Sequence, residues 1–402
     1  MWLTISRLIR ITSWEPAIRF RNGRMYTLQR QKIKLIENAS SGRRKHFFYP
    51  FSVYISFGIS PYIKLVIAYF VGVCYNIHDM YYWEGVILMN KISIIGTGSV
   101  GSTIAYSLAI MGLASEIVMI DINSEKALGE ALDIRQGTPF CSPCSIYAGS
   151  YVDAENSDIV ILTSGIARKP GQSRLELAQT NVDITKSVIP EITRHAPNAI
   201  YIIVSNPVDI LTYTFHRFSG LPENQIIGSG TILDTARLRA RLSEYYNISQ
   251  SNVHAYVFGE HGDSSFIPWS VANISNVPIL ECDKLITTPG IEKPKLDFAD
   301  IEQYVRKSGG RVIARKGATF YAVSISVCHI CKCLLGGIDT TMTVSSMMHG
   351  EYGIHDVCLS TLNLVGDGGI RGKVNVTLTD EEVAKLHRSA DTLKEVIKNL
   401  EI

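Results

Sequence analysis

The segment Lys91-Ile-Ser-Ile-Ile-Gly96-Thr-Gly98-Ser-Val-Gly101 decides the fold of this 402-residue chain. Its first five residues form a short apolar run typical of a buried strand, and a helix-compatible run over 102–111 follows. A lone G-x-G-x-x-G is a weak signal. Here the glycines lie between strand and helix, and the next apolar run, 116–121, ends in Asp121, 20 residues after Gly101. The combination predicts a nucleotide-binding βαβ unit.

Each glycine of this motif has a physical reason. Gly96 permits the tight turn, Gly98 lets the backbone approach a pyrophosphate, and Gly101 lets the helix pack on the strand. The phosphates would lie against the helix N-terminal amides. Asp121 can accept both ribose hydroxyls and would repel a 2′-phosphate, which predicts NAD rather than NADP. The alternative is a structural glycine turn without a ligand.

Further strand–helix units follow along the chain. The apolar run 158–163 predicts a strand, a long helix extends to about His195, and 199–205 predicts another strand. Alternating strands and helices indicate an α/β fold, a Rossmann-type doubly wound parallel sheet.

The C-terminal half has an α+β character, which suits a substrate domain. Strands are predicted over 252–258 and 345–360, and helices over 298–315 and 379–400, the last opening with a capping box at Thr379. We expect three parts: an N-terminal extension (1–88), an NAD-binding Rossmann domain (89–233) and a substrate-binding, catalytic α+β domain (234–402).

The net charge of +2 averages two segments of opposite sign. Residues 1–88 carry 12 Lys and Arg against 4 acids, whereas the other 314 residues have a net charge of −6. That acidic balance, without a basic stripe, argues against nucleic acid as a partner. Met89 directly precedes the first predicted strand, so we expect 1–88 to lie outside the enzyme fold, as a mis-assigned start. The alternative is a tether, because the apolar stretch 47–77 is long enough to cross a bilayer, although prolines and Lys64 interrupt it. We expect no membrane contact for 89–402.

Three segments gather residues suited to moving a hydride and a proton on an anionic substrate. His261 lies in the glycine-flanked turn 259–265. Asp234 and Arg237 lie three residues apart on a predicted helix, where Arg237 could clamp a carboxylate and Asp234 orient a histidine. Spacing alone favours a plain intrahelical salt bridge. Arg174 ends the basic loop 169–174, which could close over a ligand or simply be solvated.

From Met89 to Ile402 the chain resembles the L-lactate/malate dehydrogenase family. The resemblance is carried by Gly96–Gly101, Asp121 and the segments 169–174, 206–209, 228–237, 259–265 and 316–319. It implies NAD as cofactor and His261 as the proton acceptor, oriented by Asp234. Arg237 would hold the substrate carboxylate and Arg174 would polarise the C2 oxygen. Asn206 would bind substrate, and Thr319 would line the pocket.

The resemblance also implies a set of residues around the cofactor. They are Gly96, Gly98, Val100, Gly101, Asp121, Lys126, Tyr151, Gly165, Ile166, Ser187, Val204, Asn206 and Ser229.

The substrate is left open between two branches of the family. Arg168 stands where lactate enzymes usually carry glutamine, and it could pair with the second carboxylate of oxaloacetate. The segments 228–231 and 259–265, together with Thr319, resemble the lactate branch, so we expect pyruvate and L-lactate, with malate dehydrogenase as the alternative.

Arg239 and His254 match the positions where bacterial lactate enzymes bind fructose 1,6-bisphosphate between subunits. The resemblance therefore implies activation by this effector and a homotetramer. The alternative is an ordinary interface arginine and histidine.

The eight cysteines include Cys141-Ser-Pro-Cys144, which has metal or redox spacing. No second matched pair accompanies it, and Cys328, Cys331 and Cys333 fall in an apolar, helix-like run. We expect no metal site, reduced thiols and a cytoplasmic location.

Overall fold

The computed structural model describes residues 10–21, 24–34, 90–166, 173–285, 296–337 and 339–402. Residues 1–88 and 89–402 form separate compact units. In the first unit, strands β1 (Arg10–Arg21) and β2 (Arg24–Lys34) pair antiparallel. The predicted tether 47–77 lies outside the described residues. Within the described ranges, no helix is both long and apolar enough to span a membrane.

The second unit holds the predicted enzyme fold. Its strands are β3 (Lys91–Ile95), β4 (Glu116–Ile120), β5 (Ser145–Ala148), β6 (Ile159–Leu162), β7 (Ile200–Ile203), β8 (Ile226–Gly228), β9 (Val253–His254), β10 (Asn273–Ile274), β11 (Val277–Pro278), β12 (Thr340–His349), β13 (His355–Gly366) and β14 (Gly369–Lys373). Its helices are α1 (Ser99–Met111), α2 (Ser124–Gln136), α3 (Arg174–His195), α4 (Val208–Ser219), α5 (Ile232–Tyr246), α6 (Cys282–Leu285), α7 (Phe298–Lys316), α8 (Tyr321–Gly336) and α9 (Asp380–Lys398).

One mixed sheet organises this unit, in the order β14-β13-β12-β8-β7-β6-β3-β4-β5. The six strands from β5 to β8 in this order are parallel, with the strand order of a dinucleotide-binding fold. The predicted Rossmann-type sheet is therefore confirmed. Strands β12 to β14 continue the same sheet antiparallel, and Ser345 pairs with Gly228 at the junction. The C-terminal half thus contributes directly to the sheet that carries the nucleotide motif.

Apart from the edge strand β5, the parallel strands are buried on both faces, as their apolar runs require. Alternate residues supply two hydrophobic cores on opposite sides of the sheet. In β6, for example, Val160 and Leu162 join one core and Ile159 and Ile161 join the other. All four side chains are fully or almost fully buried.

Two predicted strands differ from the structure. Of 252–258, only Val253–His254 is a strand, because Val257 N–H donates to the Thr235 hydroxyl instead of a neighbouring strand. The predicted strand 345–360 is two strands, since Gly350, with φ of 121°, begins a reversal between β12 and β13. The sequence prediction treated the segment as one strand and missed this turn, although Gly350 and Gly353 lie in it.

The capping box predicted at Thr379 is confirmed. The Thr379 hydroxyl accepts the Glu382 N–H at 3.3 Å, and the Glu382 carboxylate accepts the Thr379 N–H at 3.0 Å. We expect Thr379→Ala to lower the free energy of unfolding by about 1 kcal/mol, measured by urea denaturation. Thr379→Ser retains the hydroxyl and is the matched control. An alanine variant as stable as wild type would show that the cap contributes nothing.

Candidate active site

The glycine motif forms a cradle at the carboxyl end of β3. Gly96 has φ of +97°, and a Cβ there would lie 2.7 Å from Ser164 N. A Cβ on Gly101 would lie 1.9 Å from the Gly96 oxygen, so these two glycines are required by the fold itself. A Cβ on Gly98 would meet nothing within 4 Å. Gly98 therefore borders open space at the N-terminus of α1, where a pyrophosphate fits.

Asp121 follows β4 and faces this cradle. One carboxylate oxygen accepts the Thr97 N–H at 2.6 Å, and the other accepts the Asn123 N–H at 2.9 Å. Burial alone would raise the pKa of Asp121, but the hydrogen bonds from Asn123 and Thr97 lower it overall. An ionised, oriented carboxylate at this position suits the ribose hydroxyls of NAD.

Asn181, which the sequence analysis missed, joins two predicted cofactor segments. Its side chain accepts the Ile166 N–H at 2.9 Å and donates to the main-chain oxygen of Asn206 at 2.7 Å. The Gly165–Ile166 turn and Asn206 are thereby brought together. The available signal was a polar residue on the apolar stripe of α3, since the nearby Ala178 and Val182 are buried against the sheet.

Five further predicted cofactor residues lie where the parallel strands end: Val100 and Lys126 in the first turns of α1 and α2, and Tyr151, Val204 and Ser229 shortly after β5, β7 and β8. Ser187 is different. It lies on an exposed face of α3, and its hydroxyl donates to the Ile184 oxygen of the same helix at 2.7 Å. Its predicted cofactor role gains no support from this geometry and stays a prediction.

Two of the predicted catalytic residues, His261 and Asp234, meet the predicted substrate residue Arg237 at one buried carboxylate. Asp234, in the first turn of α5, is only 7% exposed. Its Oδ2 accepts a hydrogen bond from His261 Nδ1 at 2.6 Å, and its Oδ1 accepts one from Arg237 Nη1 at 2.7 Å. The intrahelical salt bridge favoured by spacing is present, and the same carboxylate also binds the histidine. The bond to Nδ1 leaves Nε2 of His261 to exchange a proton with a substrate.

The electrostatics of this site favour the charged forms of His261 and Asp234. The charge of Asp234 raises the pKa of His261 above the ordinary histidine range, against the opposing effect of burial. Burial alone would raise the pKa of Asp234, but the positive charges of His261 and Arg237 lower it overall. The geometry therefore supports a histidine that carries a proton near neutral pH.

The turn that carries His261 is held at three successive peptide groups. Gly259 N–H donates to the Ser360 oxygen of β13 at 2.9 Å. Glu260 N–H donates to the Ser389 hydroxyl of α9 at 2.7 Å. His261 N–H donates to Oδ2 of Asp209 at 2.7 Å. Three separate elements therefore fix the main chain at the histidine.

The structure describes the remaining predicted substrate residues only in part. Thr319 is half-buried between α7 and α8. Arg174 is the first residue of α3, after a capping box from Ser173, and its side chain lies outside the described part. Arg168 lies outside the described residues altogether. Helix α7 lies next to Arg237, the residue predicted to bind the substrate carboxylate, since a Cβ on Gly309 would lie 3.7 Å from Arg237 Nη2.

The predicted effector residues lie on two segments that are in contact, α5 and the chain from β9 onward. Arg239 Nε donates to the Ala255 oxygen at 3.1 Å, and its guanidinium stacks over Tyr256 at 5.1 Å from the ring centroid. His254, the residue before Ala255, is exposed on β9. Arg239 thus contacts the two residues that directly follow His254 in the chain.

Comparisons with known proteins agree with this fold and site. Residues 90–228 match the lactate/malate dehydrogenase NAD binding domain, and 231–401 match the alpha/beta C-terminal domain of the same family. An L-lactate dehydrogenase of Acetivibrio thermocellus is 44% identical over 316 residues, covering 78% of this chain and 98% of its own. One from Thermoanaerobacter sp. is 46% identical over 314 residues, with 78% and 100% coverage. The crystal structure of the minor L-lactate dehydrogenase of Enterococcus mundtii superposes with a TM-score of 0.74 at 35% identity, covering 78% of this chain and 99% of its own.

The chain therefore belongs to the lactate/malate dehydrogenase family. The predicted family and the predicted cofactor, NAD, are confirmed, and the chain is an NAD-dependent dehydrogenase.

We expect Asp121→Ser to weaken NADH binding at least tenfold, because the ribose hydroxyls lose a charged acceptor. NADPH binding is expected to weaken less or to improve, since the 2′-phosphate is no longer repelled. Fluorescence titration with both nucleotides measures the change. Glu125→Ser, which removes a nearby exposed carboxylate from α2, is the control. Unchanged NADH affinity in Asp121→Ser would contradict the assignment of the ribose acceptor.

Proposed function

We propose that this chain is an L-lactate dehydrogenase, which transfers a hydride reversibly between NADH and pyruvate to give L-lactate. The observation that carries the proposal is Asp234, whose two oxygens hold His261 and Arg237 at 2.6 and 2.7 Å. A 2-oxo acid has a ketone and a carboxylate on adjacent carbons. One proton donor and one cation held at fixed spacing match those two groups. The L-lactate dehydrogenases among the similar proteins support the same substrate.

The glycine cradle and Asp121 would hold NADH, which would supply the hydride for C2 of the 2-oxo acid. The protonated His261 donates its Nε2 proton to the C2 oxygen, and in the reverse direction it accepts the hydroxyl proton. Asp234 fixes the ring through Nδ1 and stabilises the imidazolium before the transfer. The histidine is therefore already protonated before the ketone is reduced, as this direction of the reaction requires.

Arg237 binds the substrate carboxylate. Because its Nη1 already donates to Asp234, the guanidinium plane is held, and among the described residues its other nitrogens are left for a bidentate contact with substrate. Arg174 is assigned to the C2 oxygen, which it would polarise as negative charge develops there. Asn206 completes the substrate contacts, and Thr319 lines the pocket.

Malate dehydrogenase is the second candidate, and one residue favours it. The guanidinium of Arg168 would pair with the second carboxylate of oxaloacetate, a contact that pyruvate cannot make. The lactate-type segments 228–231 and 259–265 outweigh this single position. We therefore assign pyruvate as the preferred substrate, and Arg168 as the substrate-binding residue that would pair with the second carboxylate when oxaloacetate is bound.

We also propose that the enzyme is a cytoplasmic homotetramer activated by fructose 1,6-bisphosphate, with Arg239 and His254 as effector ligands. Arg239 contacts the segment that carries the exposed His254, and an arginine with a nearby histidine would suit a bisphosphate. Exposed apolar side chains at i,i+4 spacing support self-association: Leu128 and Leu132 on α2, and Tyr321 and Ile325 on α8. The seven cysteines that the structure describes are all free thiols, which suits a reducing compartment.

Steady-state NADH oxidation with pyruvate and with oxaloacetate tests the substrate assignment. We expect the higher kcat/KM with pyruvate, and Arg168→Gln is expected to lower kcat/KM for oxaloacetate at least tenfold, because a charge-assisted contact is lost. Arg388→Gln, at an exposed position on α9, is the control. A wild-type preference for oxaloacetate above tenfold would make the chain a malate dehydrogenase.

The effector assignment is tested by measuring pyruvate reduction with and without fructose 1,6-bisphosphate, alongside sedimentation to give the mass. We expect activation of the wild-type tetramer and loss of that activation in Arg239→Ala. Arg194→Ala, an exposed arginine on α3, serves as the control. A wild type that ignores the bisphosphate would refute the assignment.

A further inference from the structure

Helix α7 passes the candidate substrate site with two glycines inside it. Gly309 and Gly310 lie in the second half of this 19-residue helix, where each is less favourable than alanine. Neither has a positive φ that would require glycine. Among the described residues, a Cβ on Gly309 would meet only Arg237 Nη2, at an ordinary contact distance of 3.7 Å, and one on Gly310 would meet nothing within 4 Å. The packing of the described residues therefore requires neither glycine.

The first half of α7 is fixed to the turn that carries the catalytic histidine. Arg306 Nε donates to the Ser265 oxygen of that turn at 3.0 Å, and Arg306 Nη2 donates to one oxygen of Glu302 at 2.8 Å. The other oxygen of Glu302 accepts the Trp269 indole N–H at 2.9 Å. These bonds hold the helix in place, so the space left by the missing side chain of Gly309 stays open.

The apolar face of α7 continues past this point without cover. Ile301 and Val305 are buried in a hydrophobic core of the C-terminal half. Gly309 follows four residues after Val305, and Val312 and Ile313 follow three and four residues later, on the same face of the helix. These last two side chains are 37% and 49% exposed. The uncovered part of the apolar face therefore begins beside Gly309, at the substrate site.

A 2-oxo acid bound at this site has one group left to place. Its carboxylate is assigned to Arg237 and its ketone oxygen to His261, and the third group is the side chain on C2, which is a methyl group in pyruvate. Carboxylate oxygens bind guanidinium nitrogens at about 3 Å, so the bound acid lies beside Gly309. The next charge along this face of α7, Lys316, lies over the ring of Phe320, 3.4 Å from its centroid. The open face thus favours a hydrocarbon side chain.

We propose that the enzyme also reduces 2-oxo acids whose apolar side chain is larger than methyl, and that Gly309 is the residue that admits them. Val312 and Ile313 would contact the longer side chain, and burial of its apolar surface favours binding. The reaction is the one given for pyruvate: C2 gains the hydride that NADH would supply, and its oxygen gains the His261 proton. The products are the 2-hydroxy acid and NAD⁺. The inference rests on the proposed function and extends its substrate class.

Steady-state NADH oxidation by the full chain, with pyruvate and with 4-methyl-2-oxopentanoate, tests the substrate class. The second acid carries an isobutyl group in place of the methyl group. Because this group enters open, apolar space beside α7, we expect kcat/KM for the branched acid to lie within about 100-fold of that for pyruvate.

Two alanine substitutions separate the space at Gly309 from the properties of the helix. Gly309→Ala places a methyl group beside Arg237, and Gly310→Ala is the matched control because its Cβ meets nothing within 4 Å. We expect the ratio of kcat/KM for the branched acid to that for pyruvate to fall about tenfold or more in Gly309→Ala, and to keep its wild-type value in Gly310→Ala. Both variants should melt at a higher temperature than wild type, since alanine favours the helix. NADH titration by fluorescence reports that both are folded.

A second substitution tests the apolar contact itself. Ile313→Asn makes the uncovered face polar at an exposed position, so the fold is not at risk. We expect the same ratio of kcat/KM values to fall, because a hydrocarbon side chain loses an apolar neighbour.

Three results would overturn the inference and leave the proposed function intact. They are a wild type that reduces pyruvate but has a kcat/KM for the branched acid more than about 100-fold lower, a ratio that falls less than about tenfold in Gly309→Ala, and an equal fall in Gly310→Ala. A wild type that binds NADH but reduces no 2-oxo acid would instead refute the proposed function.

Discussion

The site depends on a carboxylate that is buried and yet ionised. Asp234 is kept in this state by His261 on one oxygen and Arg237 on the other. Removing either cation would leave the buried charge of Asp234 with only one partner, which is unfavourable, so the three groups hold each other in place. The spacing between His261 and Arg237 therefore follows from their shared bonds to Asp234 and not from the position of any one helix.

The mixed sheet gives that triad its position relative to the cofactor cradle. The glycine motif follows β3, in the parallel part of the sheet. Gly259 is hydrogen-bonded to β13, in the antiparallel extension. The junction at Gly228 and Ser345 makes these two parts continuous. Glycine at 228 is needed because a Cβ there would lie 2.4 Å from the Thr212 hydroxyl and 2.8 Å from Ser345 Cβ. A close contact in the core thus joins the cofactor half to the catalytic half.

Much of the cofactor site could be predicted because its determinants are local. Gly96, Gly98 and Gly101 lie within one strand–turn–helix unit, and Asp121 ends the next strand. The residues that complete the site are distant in sequence. Asn181 reaches Asn206 from the middle of a long helix, and Asp209 meets His261 across 52 positions. A single polar residue in an apolar helical stripe indicates burial, but it does not identify its partner.

The sequence by itself determined the parallel nucleotide fold, its cofactor and the identity of the candidate catalytic side chains. These follow from short patterns, in which strand period, glycine geometry and one acidic residue lie within 31 consecutive positions from Lys91 to Asp121. Only the tertiary structure decided that Asp234 serves both Arg237 and His261. Only the tertiary structure showed that the sheet continues into the C-terminal half and that Asp209 accepts a hydrogen bond from the main chain of His261. The hydrogen bonds to these two aspartates join buried polar groups that are distant in the sequence. A buried charge is stable only with hydrogen-bonding partners, and the packing of the helices and the sheet decides which partners are within reach.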